Sequence, residues 1–141
     1  MSTEENKAIA RKFLEEIINK GNFDYADEVY DENVIAHTPY GDIKGKDGLK
    51  QFNMLSKAFP DIHMTIEDQI AEGDKVVNRF TFTGTQKGEF MGIAPTGKSF
   101  KFTGINIQKI VNGKFMEGWS TMDIFSLYQQ LGAISIPGKK E

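Results

Sequence analysis

The first third of the chain places its apolar residues at helical spacing. Ile9, Phe13, Leu14 and Ile17 share one face, which predicts a helix over about residues 4–20. Thr3 is the expected N-cap, and Gly21 stands where such helices stop. A second short helix is expected to turn Phe23, Ala26, Val29 and Tyr30 inward. "NVIAH", residues 33–37, reads as a short strand ending at "TPYG". Helical spacing returns in "GKDGLKQFNMLSKAF", residues 45–59. There Leu49, Phe52, Leu55 and Phe59 lie on one side, and Pro60 is the stop.

Beyond Pro60 the period falls to two. "IHMTIEDQIAE" and "KVVNRFTFTGT" read as two strands around the turn "EGD". "SFKFTGINIQKIV" and "KFMEGWSTM" read as a second pair around "NG". A last helix runs from about Asp123 to Leu131, and "PGKKE" forms a tail. Helices first, then hairpin-linked strands, then one helix predict a single α+β domain over residues 1–141. Its core should span about residues 5–133. The sheet is expected to be antiparallel and strongly curved. Three to four helices should lie across its open side and leave a conical cavity. Gly84, Gly104 and Gly118 fall within or at the ends of strands, where bends and bulges are common.

Composition narrows the function. Seventeen basic and 20 acidic residues give a net charge of -3, a poor match to nucleic-acid binding. With no cysteine, disulfides, thiolate metal sites and a cysteine nucleophile are excluded. The polar start "MSTEENKAIARKF" does not read as a signal peptide, and no apolar run reaches the length of a membrane span. A cytoplasmic location without membrane contact is expected.

"GIAPTGKS", residues 92–99, matches the phosphate-loop pattern letter for letter. That loop functions between a buried strand and a helix whose amino end faces the phosphates. Here "FKFTGINIQ" follows, which alternates like a strand. The segment is therefore expected to be a hairpin loop with Pro95 and Gly97 as turn residues.

Parity sorts the chemistry-bearing residues. Val76, Asn78, Phe80 and Phe82 share one face, and Arg79 the other. Phe100, Phe102, Asn106 and Gln108 share a face. Phe115, Glu117, Trp119, Thr121 and Asp123 are expected to share another. An aromatic face bearing one acid and one amide suits a small-molecule pocket, and equally suits a core face whose polar ends reach water. His37 reads as a pocket group or a structural histidine, and His63 as a surface residue. Arg79 reads as a pocket cation or as the partner of Glu67. Asp123 reads as the cap of the last helix or as a buried base. Burial beside Trp119 would raise its basicity, whereas bonds to helix amides would lower it. The buried reading places it at the bottom of an enclosed apolar pocket.

"PDIHMTIEDQIAEGDKVVNRFTFTGT", "GEFMGIAPTGK" and "EGWSTMDIFSLYQQLGA" resemble the SnoaL-like polyketide (ester) cyclase family, as does the earlier "YADEVYDENVIAHTP". The resemblance implies the nuclear-transport-factor-2-like fold, a cone-shaped α+β barrel, with a homodimer formed through the sheet. It implies an intramolecular aldol closure of a small hydrophobic carbonyl compound, with no metal and no cofactor. The aspartate of the family's Trp-x-x-x-Asp segment, here Asp123, would be the general acid/base. His37, Arg79, Gln86, Asn106 and Trp119 are expected to contact the substrate. Many relatives carry Gly-Thr-His where this chain has Gly84, Thr85 and Gln86, and glutamine can donate a hydrogen bond but cannot titrate. A non-catalytic protein that holds a small hydrophobic ligand is the competing expectation.

Overall fold

The computed structural model describes residues 2–49, 53–135 and 138. Helix α1, Thr3–Leu14, is capped by Ser2 rather than Thr3. Ser2 Oγ accepts the Glu5 N–H at 3.1 Å, and the Glu5 carboxylate reaches back to the Ser2 N–H at 3.4 Å. The helix continues as a π-helical turn, Glu15–Asn19, which keeps Ile17 buried. Asn19 then grips Met64, accepting its N–H at 2.7 Å and donating to its C=O at 3.0 Å. Helix α2, Asp24–Val29, buries Ala26 and Val29.

The expected helix over 45–59 is α3, Gly45–Leu49, followed by α4, Asn53–Ala58. Leu49 and Phe59 are buried as expected, and Phe52 lies outside the described residues. Helix α5 is Ile124–Gln130. No helix among the described residues is long and apolar enough to cross a membrane.

Among the described residues six strands form one sheet in the order β2-β1-β6-β5-β4-β3. They are β1 Tyr30–Thr38, β2 Gly41–Lys44, β3 His63–Glu72, β4 Lys75–Thr85, β5 Ser99–Val111 and β6 Lys114–Met122. The sheet is not wholly antiparallel, because β1 runs parallel to β6. It is also open, with β2 and β3 as edges, so the cone is not a closed barrel. "GIAPTGKS" is the loop between β4 and β5 and leads straight into a strand. The phosphate-loop reading has no helix to stand on.

The inner face of the sheet carries two apolar cores divided by an amide belt. Along β4 the buried order is Val76, Asn78, Phe80, Phe82, and along β5 it is Ile110, Gln108, Phe102, Phe100, with half-buried Asn106 between Gln108 and Gly104. Val76 and Ile110 join Phe13, Val29, Val34 and Phe115 under α1 and α2. Phe80, Phe82, Phe100 and Phe102 join Phe59, Phe90, Leu127 and Leu131 at the other end.

Strand glycines make the ring packing possible. A Cβ at Gly84, Gly104 or Gly118 would lie 2.7, 2.7 and 2.6 Å from the rings of Phe100, Phe80 and Phe115. Their role is close ring packing onto backbone, where the sequence suggested bends.

Candidate functional site

The expected enclosed pocket around Asp123 is replaced by an open groove on the outer face of the sheet. Its volume is about 980 Å³, and Ile105, Ile107, Trp119 and Met122 supply apolar lining. Four of the residues expected to form the site line it: His37 from β1, Arg79 from β4, Trp119 from β6, and Asp123 at the start of α5. Thr103 and Thr121 add hydroxyls.

A β-bulge explains the change of face. β5 and β6 pair Lys109 with Glu117, yet pair Ile110 with Phe115, so Met116 is the extra residue. The slip turns Phe115 into the core and sends Glu117, Trp119 and Thr121 outward. Phe115 therefore does not share their face, which corrects the parity reading. Asp123 follows on that outer side, its N–H donating to the Thr103 carbonyl at 3.0 Å.

Asp123 is exposed and caps α5. Its Oδ1 accepts the Ser126 N–H at 3.0 Å, and Oδ2 has no partner among the described residues. The buried position expected from Trp119 is thus corrected. The carboxylate stands at the wall of an open groove, and within the groove lining it is the sole acid.

His37 is held between two carboxylates. Its Nδ1 lies 2.8 Å from Asp42 Oδ1, and its Nε2 lies 2.6 Å from Glu117 Oε2. The bond to Glu117, then that to Asp42, pushes its pKa above the ordinary 6.5. The imidazole ring stacks on Trp119 with ring centroids 5.7 Å apart and planes tilted by 22°. With both ring nitrogens engaged, His37 orients Trp119 and has no free nitrogen for a ligand. Arg79 has no ion pair among the described residues, so its guanidinium remains available in the groove. The expected Glu67 partner accepts instead from Thr81 Oγ1 at 3.1 Å.

Gln86 contacts neither groove nor cavity, which corrects its expected place in the site. It is fully buried in the β4–β5 loop. Its Nε2 donates to the carbonyls of Gly88 at 3.2 Å and Ile93 at 3.0 Å, and its Oε1 accepts from Thr96 Oγ1 at 2.8 Å. These bonds hold the loop together. His63 is exposed, as read from the sequence. Among the described residues no group of three or more His, Asp or Glu side chains could hold a metal ion.

Asn106 faces the opposite side of the sheet. It lines a cavity of about 100 Å³ with Tyr30, Gln108 and Ser120. Parity did not connect Tyr30 or Ser120 with it. Tyr30, expected on the second helix, instead begins β1.

Comparison with known proteins adds the family. The model of the SnoaL-like polyketide cyclases matches residues 8–131. The chain belongs to the SnoaL-like polyketide cyclase family. Among solved structures it resembles AclR from Streptomyces galilaeus, provisionally named a hydroxylase, with 27% identity and a TM-score of 0.85. That match covers 95% of this chain and 100% of the other. TsrD from Streptomyces laurentii is 29% identical with a TM-score of 0.84, over 95% and 99% of the two chains. A Bacillus cereus protein, provisionally named a polyketide cyclase, is 33% identical with a TM-score of 0.79, over 96% and 87%. Comparison with curated proteins gave no match.

Proposed function

We propose that this SnoaL-like protein binds a small hydrophobic carbonyl compound in the outer groove and moves a proton on it without a cofactor. The observation that supports this is the meeting of an available guanidinium, an aromatic wall and one carboxylate over an apolar floor. Intramolecular aldol closure is the reaction the resemblance suggests. A carboxylate base suffices only for an acidic carbon, such as a methylene between two carbonyls. In this scheme Asp123 Oδ2 takes that proton, leaving an enolate whose charge faces Arg79. The enolate carbon attacks a second carbonyl of the same molecule, and a C–C bond forms. The carbonyl electron pair moves onto oxygen, and the Asp123 carboxylic acid returns its proton to that alkoxide. Trp119, steadied by His37, would hold the chain folded for the attack. A second copy of the chain seated on this face, as the resemblance suggests, would shield the groove from water.

A second reading is favoured by the cap. Asp123 Oδ1 is committed to Ser126, and the residue is exposed, neither of which favours a base. On that reading the groove holds a ligand without reaction. Deuterium uptake at the activated methylene of an aryl β-keto ester in D2O separates the two. Asp123→Asn should keep ligand-induced NMR shifts at Trp119 and lose the enzyme-dependent exchange. Exchange unchanged in that variant would remove Asp123 from the mechanism. Shifts without any exchange in the parent protein would establish the binder.

A further inference from the structure

The amide belt has a direction, and groups that cannot be reversed fix it. The Lys7 backbone carbonyl can only accept, and it takes a hydrogen from Gln69 Nε2 at 3.0 Å. The Arg11 guanidinium can only donate, and it faces Gln69 Oε1 at 3.4 Å. Gln69 Nε2 therefore gives its second hydrogen to Asn78 Oδ1 at 2.8 Å. Asn78 Nδ2 then donates to Asn106 Oδ1 and to Gln108 Oε1, each at 2.8 Å. Reversing one amide alone would set oxygen against oxygen, or nitrogen against nitrogen, at hydrogen-bond distance.

The consequence appears at the far end of the chain of bonds. The oxygens of Asn106 and Gln108 are taken, and their NH2 groups have no acceptor among the described residues. Both side chains line the interior cavity of about 100 Å³, where the Tyr30 hydroxyl has no hydrogen bond among the described residues either. Ser120 Oγ, on the same wall, turns its hydrogen to the His37 carbonyl at 3.4 Å. Burial keeps the Tyr30 phenol protonated, its pKa raised well above 10. Among the described residues no Asp, Glu, Lys or Arg side chain lines the cavity; His37, which also borders it, points outward to Glu117. Ala36, Leu49, Ile107, Phe115 and Trp119 supply apolar lining.

We infer that this interior cavity is a binding subsite for an acceptor-only oxygen, the oxygen of a small carbonyl or carboxylate group, and that Asn78 is the positioning residue that sets its polarity. Three groups can donate into the space, the Asn106 and Gln108 NH2 groups and the Tyr30 hydroxyl, against the hydroxyl oxygens of Tyr30 and Ser120 as acceptors. A group that brings only lone pairs satisfies all three, whereas an ammonium or guanidinium would set donor against donor at both amide NH2 groups and find only the Tyr30 and Ser120 hydroxyl oxygens to accept from it. The volume is that of roughly three waters at about 30 Å³ each, so the occupant is a fragment or the terminal group of a longer molecule. The cavity shares His37, Thr38, Ile107, Trp119 and Ser120 with the groove, but its donors lie on the opposite face of the sheet and the inference requires no proton transfer.

The test is side-chain amide NMR on the whole protein, titrated with butanone, acetate and ethylammonium. Butanone and acetate separate a neutral from an anionic acceptor. Saturable shifts of the Asn106 and Gln108 NH2 signals are expected with at least one of the two, with ethylammonium at least tenfold weaker. Asn78→Asp cannot supply both hydrogens, so Asn106 and Gln108 should turn their oxygens inward. Acceptor binding should then fall at least tenfold while the ammonium gains relative to it, which a merely structural role would not produce. If that variant does not fold, Tyr30→Phe and Gln108→Leu should each weaken the acceptor probe several-fold in a folded protein. Water alone in the cavity, seen as no saturable shift with either acceptor, would overturn the inference. So would equal binding of acceptor and ammonium probes.

Discussion

The ring of Phe80 occupies the space that a side chain at Gly104 would need. The two residues are cross-strand partners, and a Cβ on Gly104 would lie 2.7 Å from two ring carbons and 2.9 Å from Met122 Cγ. Phe80 is 1% exposed and has nowhere to retreat. Gly104→Ala should therefore destabilise the fold by about 1–3 kcal/mol, the usual cost of overpacking a filled core. A lowered denaturation midpoint with an unchanged slope would show it. An unchanged midpoint would mean that the ring can shift aside freely.

The clamp on His37 makes stability depend on pH. Asp42 belongs to β2 and Glu117 to β6, so His37 on β1 ties its strand to the edge strand on one side and to β6 on the other. Its folded pKa lies above 6.5. The contribution is thus fully present below 6.5 and is lost as pH rises through the folded value. His37→Gln should cost more stability at about pH 5.5 than at about pH 9. Thermal unfolding of both proteins across that range measures the difference, and parallel curves would show that the clamp carries no proton-linked stability.

Much of the fold was legible, because helical spacing and alternation are direct images of packing. Phe80 and Phe82 alternate with Arg79 and Thr81 as a one-sided strand requires, and they lie as that pattern says. The turn before β5 was legible because alternation resumes at Phe100, which left the phosphate-loop pattern without a helix. β2 was missed because "GDIK" is too short to show a period, and its partner β1 supplies its order. The site was only partly legible. Parity carries over a strand only while the pleat is unbroken, and the bulge at Met116 shifts every outward assignment that counts from Phe115. Asp123, His37, Arg79 and Trp119 do meet, but on the outer face, and no residue-by-residue pattern announces a bulge. The amide belt was half visible. Asn106 and Gln108 were assigned to one face and Asn78 to the Phe80 face, but their pairing comes from the β4–β5 register.

Gln86 is a structural hub, so its loss should be felt in stability and not in ligand binding. Its side chain satisfies Thr96, Gly88 and Ile93, and its backbone N–H donates to the Lys98 carbonyl at 2.9 Å. Gln86→Ala removes the side-chain partners and leaves a hole at a fully buried position. The expected cost is about 1–3 kcal/mol, the range for leaving buried polar groups unpaired. Probe-induced shifts at Trp119 and Gln108 should be unchanged in the folded variant. A loss of those shifts without loss of stability would return Gln86 to the site.

Capping and chemistry at Asp123 can be separated by two substitutions at the same position. Asparagine caps a helix about as well as aspartate, whereas alanine leaves the Ser126 N–H without its partner. Asp123→Ala should therefore cost about 1 kcal/mol of stability, and Asp123→Asn close to none. Proton transfer depends on the charge and not on the cap, so both variants should lose methylene exchange equally. If exchange instead follows stability, falling in the alanine variant and surviving in the asparagine one, Asp123 serves only to begin α5. The groove would then be a place to hold a ligand, with its acid accounted for by the helix it starts.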